Sequence, residues 1–186
     1  MTDAPPLRDP LRPRRIAVTL AVIAATLALD LWTKAWAWEH LRGSEPRALL
    51  EGVLYLEFSF NTGSAFGLFG GEDFARPLFI TVTLVTVGYM AFLLRTLPTR
   101  RPFAFTAIGL IIAGALGNAH DRFVRALELG GELRHGVVDF ILVYYLPNRP
   151  WPNFNVADIA LVIGVGLLLP YLLKHGDELS PPAPAA

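Results

Sequence analysis

Two aspartates carry the residue types and spacings best suited to chemistry: Asp139 in "GVVDF" and Asp158 in "FNVAD". Asp139 is flanked by Val137, Val138, Phe140 and Ile141. Such apolar company desolvates a carboxyl group and pushes it toward its neutral form. Asp158 follows Asn155 by three residues and opens a long uncharged run. Asn155 is a good N-cap, which puts Asp158 in the first helical turn, where free N–H groups and the helix dipole favour a negative charge. The same spacing also suits a capping box whose acid only starts the helix. Taken together, two carboxylates in oppositely biased surroundings meet the requirement of aspartyl hydrolysis. Held close, they share one proton and titrate as a pair. The ionised member takes a proton from water, and the protonated member polarises a scissile carbonyl. Its apolar neighbours make Asp139 the expected holder of that proton.

Other polar groups accompany them. Asn118, Asp121 and Arg122 fall at i, i+3 and i+4 near the end of an apolar run. Two readings are open: Asp121 simply anchors Arg122, or the planar donor fork of Arg122 holds a peptide carbonyl or a lipid oxygen. Asp30 and Lys34, at i and i+4, suit an ion pair that lets two charges tolerate a membrane interface, or contact with a lipid headgroup. Ser64 in "TGSAFG" has no histidine placed to serve as its base, and His120 suits a supporting or solvated position. The four histidines show no zinc-protease spacing, and the acids are too sparse for a magnesium site, so no metal or cofactor is expected. Cysteine is absent, which excludes disulfides and a cysteine nucleophile.

The elements that must position these residues are membrane spans. The chain is 53% hydrophobic and only 17% charged, with zero formal charge, so nucleic acid is not an expected partner. Four segments satisfy the length and apolarity of a transmembrane helix, about 16–38, 77–94, 102–122 and 155–173. The first exceeds a signal-peptide core and runs on into Asp30 and Lys34, so it is expected to stay as a span. Residues 1–15 and 175–186 are expected to be disordered cytoplasmic tails flanking a single four-helix unit, 16–174. Lys and Arg are about twice as dense on the terminal side as in the loops 39–76 and 122–154, which places both termini in the cytoplasm. Trp32, Trp36 and Trp38 are then expected as an aromatic belt at the outer interface. This topology gathers Asp30, Lys34, Asn118, Asp121, Arg122, Asn155 and Asp158 at one face. Val53–Phe60 reads as a strand ending in a turn at Asn61–Gly63, part of a small extracytoplasmic β-sheet. The glycines at 130, 131 and 136 mark a flap-like loop or helix.

"LDLWTK" at 29–34, "FNTGSAFG" at 60–67, "GALGNAHDRF" at 114–123, "GVVDF" at 136–140 and "FNVAD" at 154–158 occur in that order. Together they resemble the signature boxes of bacterial prolipoprotein signal peptidase, or signal peptidase II. The resemblance implies an α-helical integral membrane protein with four transmembrane helices in the bacterial inner membrane. It implies an aspartyl protease that removes signal peptides from prolipoproteins, cutting before a diacylglyceryl-modified cysteine. The catalytic pair would be Asp139 and Asp158. Asn61, Asn118 and Arg122 match positions that line the site and bind substrate or globomycin-type inhibitors. Asp30, Lys34, Gly63 and Asp121 match supporting positions, and Asn155 lies in the last box. The partners implied are lipid-modified prolipoproteins and membrane lipid, with the enzyme acting as a monomer.

A proton-coupled transporter or channel is the competing class, since intramembrane acids also form proton relays. An inert membrane scaffold is a third.

Overall fold

The computed structural model describes residues 9–63 and 72–175. The elements in chain order are α1 (Arg12–His40), β1 (Arg47–Leu50), β2 (Leu54–Asn61), α2 (Glu72–Thr96), α3 (Pro102–Val124), β3 (Ala126–Leu129), β4 (Glu132–His135), β5 (Val137–Leu146), β6 (Arg149–Pro150) and α4 (Val156–His175). Among the described residues, four helices are long and apolar enough to cross a membrane. Ser64 lies outside the described residues, as do residues 1–8 and 176–186.

α3 is the central post, packed against the other three helices, and it is by far the most buried of them. Its small residues make this possible. A Cβ at Gly114 would stand 2.5 Å from the Ala157 carbonyl oxygen of α4, and one at Gly109 would stand 3.0 Å from the Thr19 carbonyl oxygen of α1. α1, α2 and α4 instead turn large apolar side chains outward, among them Leu20, Leu84, Val162 and Leu173. On a soluble protein such surface would be a liability; on four spans it is the lipid-facing side.

α1 begins at Arg12, inside the segment expected as a disordered tail. The reason is a set of tertiary partners. The Arg12 guanidinium donates to the carbonyls of Leu94, Arg95 and Leu97, and Arg15 Nε donates to that of Thr99. Arg12 thus meets orphan carbonyls at the end of α2, both cations bond the turn that follows it, and together they hold the first turn of α1 in place.

At the opposite end of the bundle β1, β2, β5 and β6 form an antiparallel sheet in that order. One face of β5, carrying Val138 and Phe140, packs on Ala37 and Leu41 at the end of α1. Trp38 belongs to this contact: its ring meets Phe58 and Phe60 edge-on, with centroids 5.8 and 5.9 Å away. Trp36 stacks on His40, and Trp32 is exposed. The expected loop or helix flap is a β-hairpin, β3–β4. Gly130 and Gly131, at φ +64° and +83°, make the two-residue turn that such a hairpin requires.

Candidate active site

Asp139 is placed by strand pairing. On β2 and β5 it lies opposite Ser59, and Asn61 stands two residues further along the same face. That diagonal distance is within reach of a long polar side chain, and Asn61 Nδ2 donates to Asp139 Oδ2 at 3.0 Å. Asn61 Oδ1 meanwhile accepts the N–H of Gly63 at 2.9 Å, which settles which end of the amide faces the acid.

Asp158 is placed by a helix start. Asn155 Oδ1 accepts the Asp158 N–H at 3.0 Å, and Asp158 Oδ2 accepts the Asn155 N–H at 3.1 Å. This reciprocal pair is a capping box. The plain structural account of Asp158 therefore holds, and it coexists with a second function, because the box leaves Asp158 Oδ1 free to accept from Asn118 Nδ2 at 2.8 Å.

One residue joins the two acids. Asn155 Nδ2 donates to Asp139 Oδ1 at 2.6 Å while its own backbone N–H holds Asp158. The backbone supports that bridge: Phe140 and Ile141 donate to the Phe154 carbonyl, and Phe154 donates back to Ile141. The strand bearing one aspartate is thus latched to the helix start bearing the other.

Burial separates them. Asp139 is only 3% exposed, and Asp158 is half-buried. Desolvation and the nearby Asp158 charge push the Asp139 carboxyl up to about 7, against hydrogen bonds from Asn61 and Asn155 and the charge of Lys34. Asp139 therefore holds its proton to a higher pH than an ordinary carboxyl group.

Beneath the pair lies a charged layer. Lys34 is fully buried, so the lipid-headgroup contact open to it on sequence grounds does not occur. Its ammonium pairs with Asp30 at 2.9 Å, donates to Asn118 Oδ1 at 2.8 Å and stands 3.8 Å from Asp121. By holding Asn118 Oδ1, Lys34 turns the amide nitrogen of Asn118 toward Asp158. Asp30 accepts the Ala157 N–H at 2.9 Å, a second cap on the first turn of α4. Asp121 does not anchor Arg122. It accepts from Arg125 Nε at 2.9 Å and from the Val138 N–H at 3.0 Å, one residue from Asp139. The i, i+4 rule points to Arg125, since adjacent residues on a helix do not face each other.

Arg122 lies instead over the Phe79 ring of α2, 4.2 Å from its centroid, with Nη1 donating to the Asn118 carbonyl. Among the described residues, its buried Nε has no hydrogen-bond partner. Both aspartates lie within its electrostatic reach. Phe79 and Arg125 are contributors not selected on sequence grounds. Arg125 was reachable through its i, i+4 spacing from Asp121, and its guanidinium lies 5.1 Å from the Trp38 ring centroid, whereas no local pattern points to Phe79. All the described site residues, from Asp30 to Asp158, meet at one end of the bundle.

The profile of the family described as Signal peptidase (SPase) II matches residues 22–174. The chain belongs to the signal peptidase II family. Relatives of this family include the lipoprotein signal peptidase of Clostridium novyi, 33% identical over 83% of this chain and 97% of that protein. The lipoprotein signal peptidase of Anoxybacillus flavithermus is 38% identical over 78% of this chain and 79% of its own length. A solved structure described as a bacterial membrane enzyme superposes with a TM-score of 0.70 at 27% identity, covering 85% of this chain and 94% of that one. As a member of signal peptidase II, the chain is a multi-pass membrane peptidase, and the transporter and scaffold alternatives fall away.

Proposed function

We propose that Asp139 and Asp158 are the catalytic pair of an intramembrane aspartyl endopeptidase that removes signal peptides from prolipoproteins, cutting before a diacylglyceryl-modified cysteine. One observation carries this: Asn155 holds both carboxylates at once, through its side chain and its backbone N–H. In this mechanism Asp158 removes a proton from water as its oxygen attacks the scissile carbonyl carbon. Asp139 supplies its proton to the developing oxyanion. When the intermediate collapses, the proton on Asp158 passes to the cysteine nitrogen as the C–N bond breaks, and Asp139 recovers its own. Arg122, whose Nε has no hydrogen-bond partner among the described residues, binds a substrate carbonyl beside the pair. Asn61 and Asn118 hold the acids through neutral amides.

A single chain supplies all these groups, which supports action as a monomer by the unit spanning 16–174. The arginines at the Arg12 end support cytoplasmic termini in a bacterial inner membrane, with the site at the outer face. Globomycin-type inhibitors would compete for the same carboxylates.

The test uses purified protein in detergent and a diacylglyceryl-modified lipobox peptide. Asp139→Asn and Asp158→Asn should each lower kcat by about 10³-fold or more, while thermal unfolding shows both variants folded. Normal cutting by either variant overturns the assignment.

A further inference from the structure

A groove of about 340 Å³ opens beside Asp158, lined by Trp151, Phe154, Asp158, Ile159, Val162 and Ile163. Among the described residues Asp158 is its only ionisable group, and the groove is otherwise apolar. Ile159, Val162 and Ile163 recur at i, i+3 and i+4, so the groove follows one face of α4 away from the catalytic end. We propose that this groove receives an acyl chain of the substrate's lipid-modified cysteine and thereby selects for chain length. The inference rests on the peptidase reading above.

Size decides between the two apolar parts of such a substrate. Ten residues of a signal-peptide helix, about 10 Å across with a rise of 1.5 Å per residue, fill roughly 1,200 Å³. That is several times the groove. A saturated chain is only about 4 Å wide at van der Waals contact, so the same space accepts much of its length. Continuity points the same way. The lipid is carried by the residue directly after the cut bond, so its chains depart from beside the reacting carbonyl. The groove begins at a catalytic carboxylate and descends along a spanning helix. Trp151 and Phe154 stand at its head, where aromatic rings suit the boundary between ester and hydrocarbon. Transfer from bilayer to groove brings no hydrophobic gain, because both are apolar. The selectivity is therefore one of fit and alignment.

The experiment uses the full chain in lipid nanodiscs and two lipobox peptides that differ only in acyl length, dipalmitoyl and dihexanoyl. Val162, 73% exposed, tolerates replacement by a larger side chain, and Val162→Trp fills the groove. Leu84→Trp, at a site on α2 that is 68% exposed and outside the groove, is the control. The long-to-short ratio of kcat/KM should fall about tenfold in Val162→Trp and stay at the parent value in Leu84→Trp. An unchanged ratio in Val162→Trp, or the same fall in Leu84→Trp, overturns the groove assignment. If Val162→Trp slows both substrates equally, the groove holds the peptide and the acyl assignment is wrong. A parent protein that cuts neither peptide overturns the peptidase reading and this inference with it. Cutting of both peptides with an unaltered ratio overturns the groove alone.

Discussion

Two pairs of aspartates occupy the same end of this bundle, and they are held by different kinds of partner. Asp30 and Asp121, in the layer between helices, are tied to cations: Lys34 for the first, Arg125 and Lys34 for the second. Asp139 and Asp158, one layer further out, receive hydrogen bonds among the described residues from neutral donors only, namely the amides of Asn61, Asn118 and Asn155 and a backbone N–H. An acid paired with a lysine or arginine faces a fixed cation that compensates its charge. An acid held by amides is oriented without being neutralised, so it stays available for proton transfer. The inner pair thus builds the scaffold, and the outer pair is left chemically free.

Breaking the inner layer should therefore cost far more stability than altering the outer one. Lys34→Met removes the ammonium shared by Asp30, Asn118 and Asp121, and leaves two buried acids undercompensated. Losing one partner of a buried pair costs about 3–5 kcal/mol. Thermal unfolding in detergent should show that loss, with activity falling because Asn118 no longer presents its nitrogen to Asp158. Asp139→Asn should stay close to the parent at neutral pH. Equal stability of Lys34→Met and Asp139→Asn would abolish the distinction between the layers.

The two layers also differ in how much of them the sequence revealed. Asp158 was legible because capping is local: Asn155 and Asp158 sit three residues apart, and the box forms as their spacing dictates. The four spans were legible for the same kind of reason, since length and apolarity are local properties. Asp139 showed its desolvated character through its neighbours, but its pairing with Asn61 depends on β2–β5 register across a bulge between Leu56 and Ser59, which no local pattern reports. Asp121 pairs with Arg125, one helical turn on, and with the Val138 N–H, which comes from a distant strand. The edge-on contacts of Trp38 with Phe58 and Phe60 also come from a distant strand. The early start of α1 likewise needed the carbonyls of another helix turn.

The pH dependence of stability sharpens the comparison further. Asp139 is raised from 3.8 to about 7, so the folded protein holds a proton that the unfolded chain has already released. The sign follows from linkage: this contribution is full below about pH 4 and is lost as pH rises through about 7. A shift of that size corresponds to on the order of 4 kcal/mol between the two limits. Unfolding free energy should accordingly decline between pH 4 and 8 in the parent, and Asp139→Asn should flatten the decline. The same loss of a proton should lower kcat/KM above pH 7. A parent and variant with parallel stability profiles would show that Asp139 carries no retained proton.

Gly117→Ala gives the smallest effect, because two terms oppose each other. Alanine gains up to about 1 kcal/mol over glycine in a helix interior. The new Cβ, however, would collide with Asp30 Oδ2 and come 3.4 Å from the Ala157 Cβ. Asp30 cannot swing away freely, since its other oxygen caps the Ala157 N–H and its charge is paired with Lys34. Overpacking at such a site costs about 1–3 kcal/mol, so the collision outweighs the propensity gain and the net loss is about 1 kcal/mol. Because Ala157 lies next to Asp158, the displacement should reach the outer pair as a few-fold drop in kcat with KM unchanged. Stabilisation by Gly117→Ala would mean that Asp30 can move without disturbing α4. The inner layer would then be a looser support for the catalytic acids than its ion pairs imply.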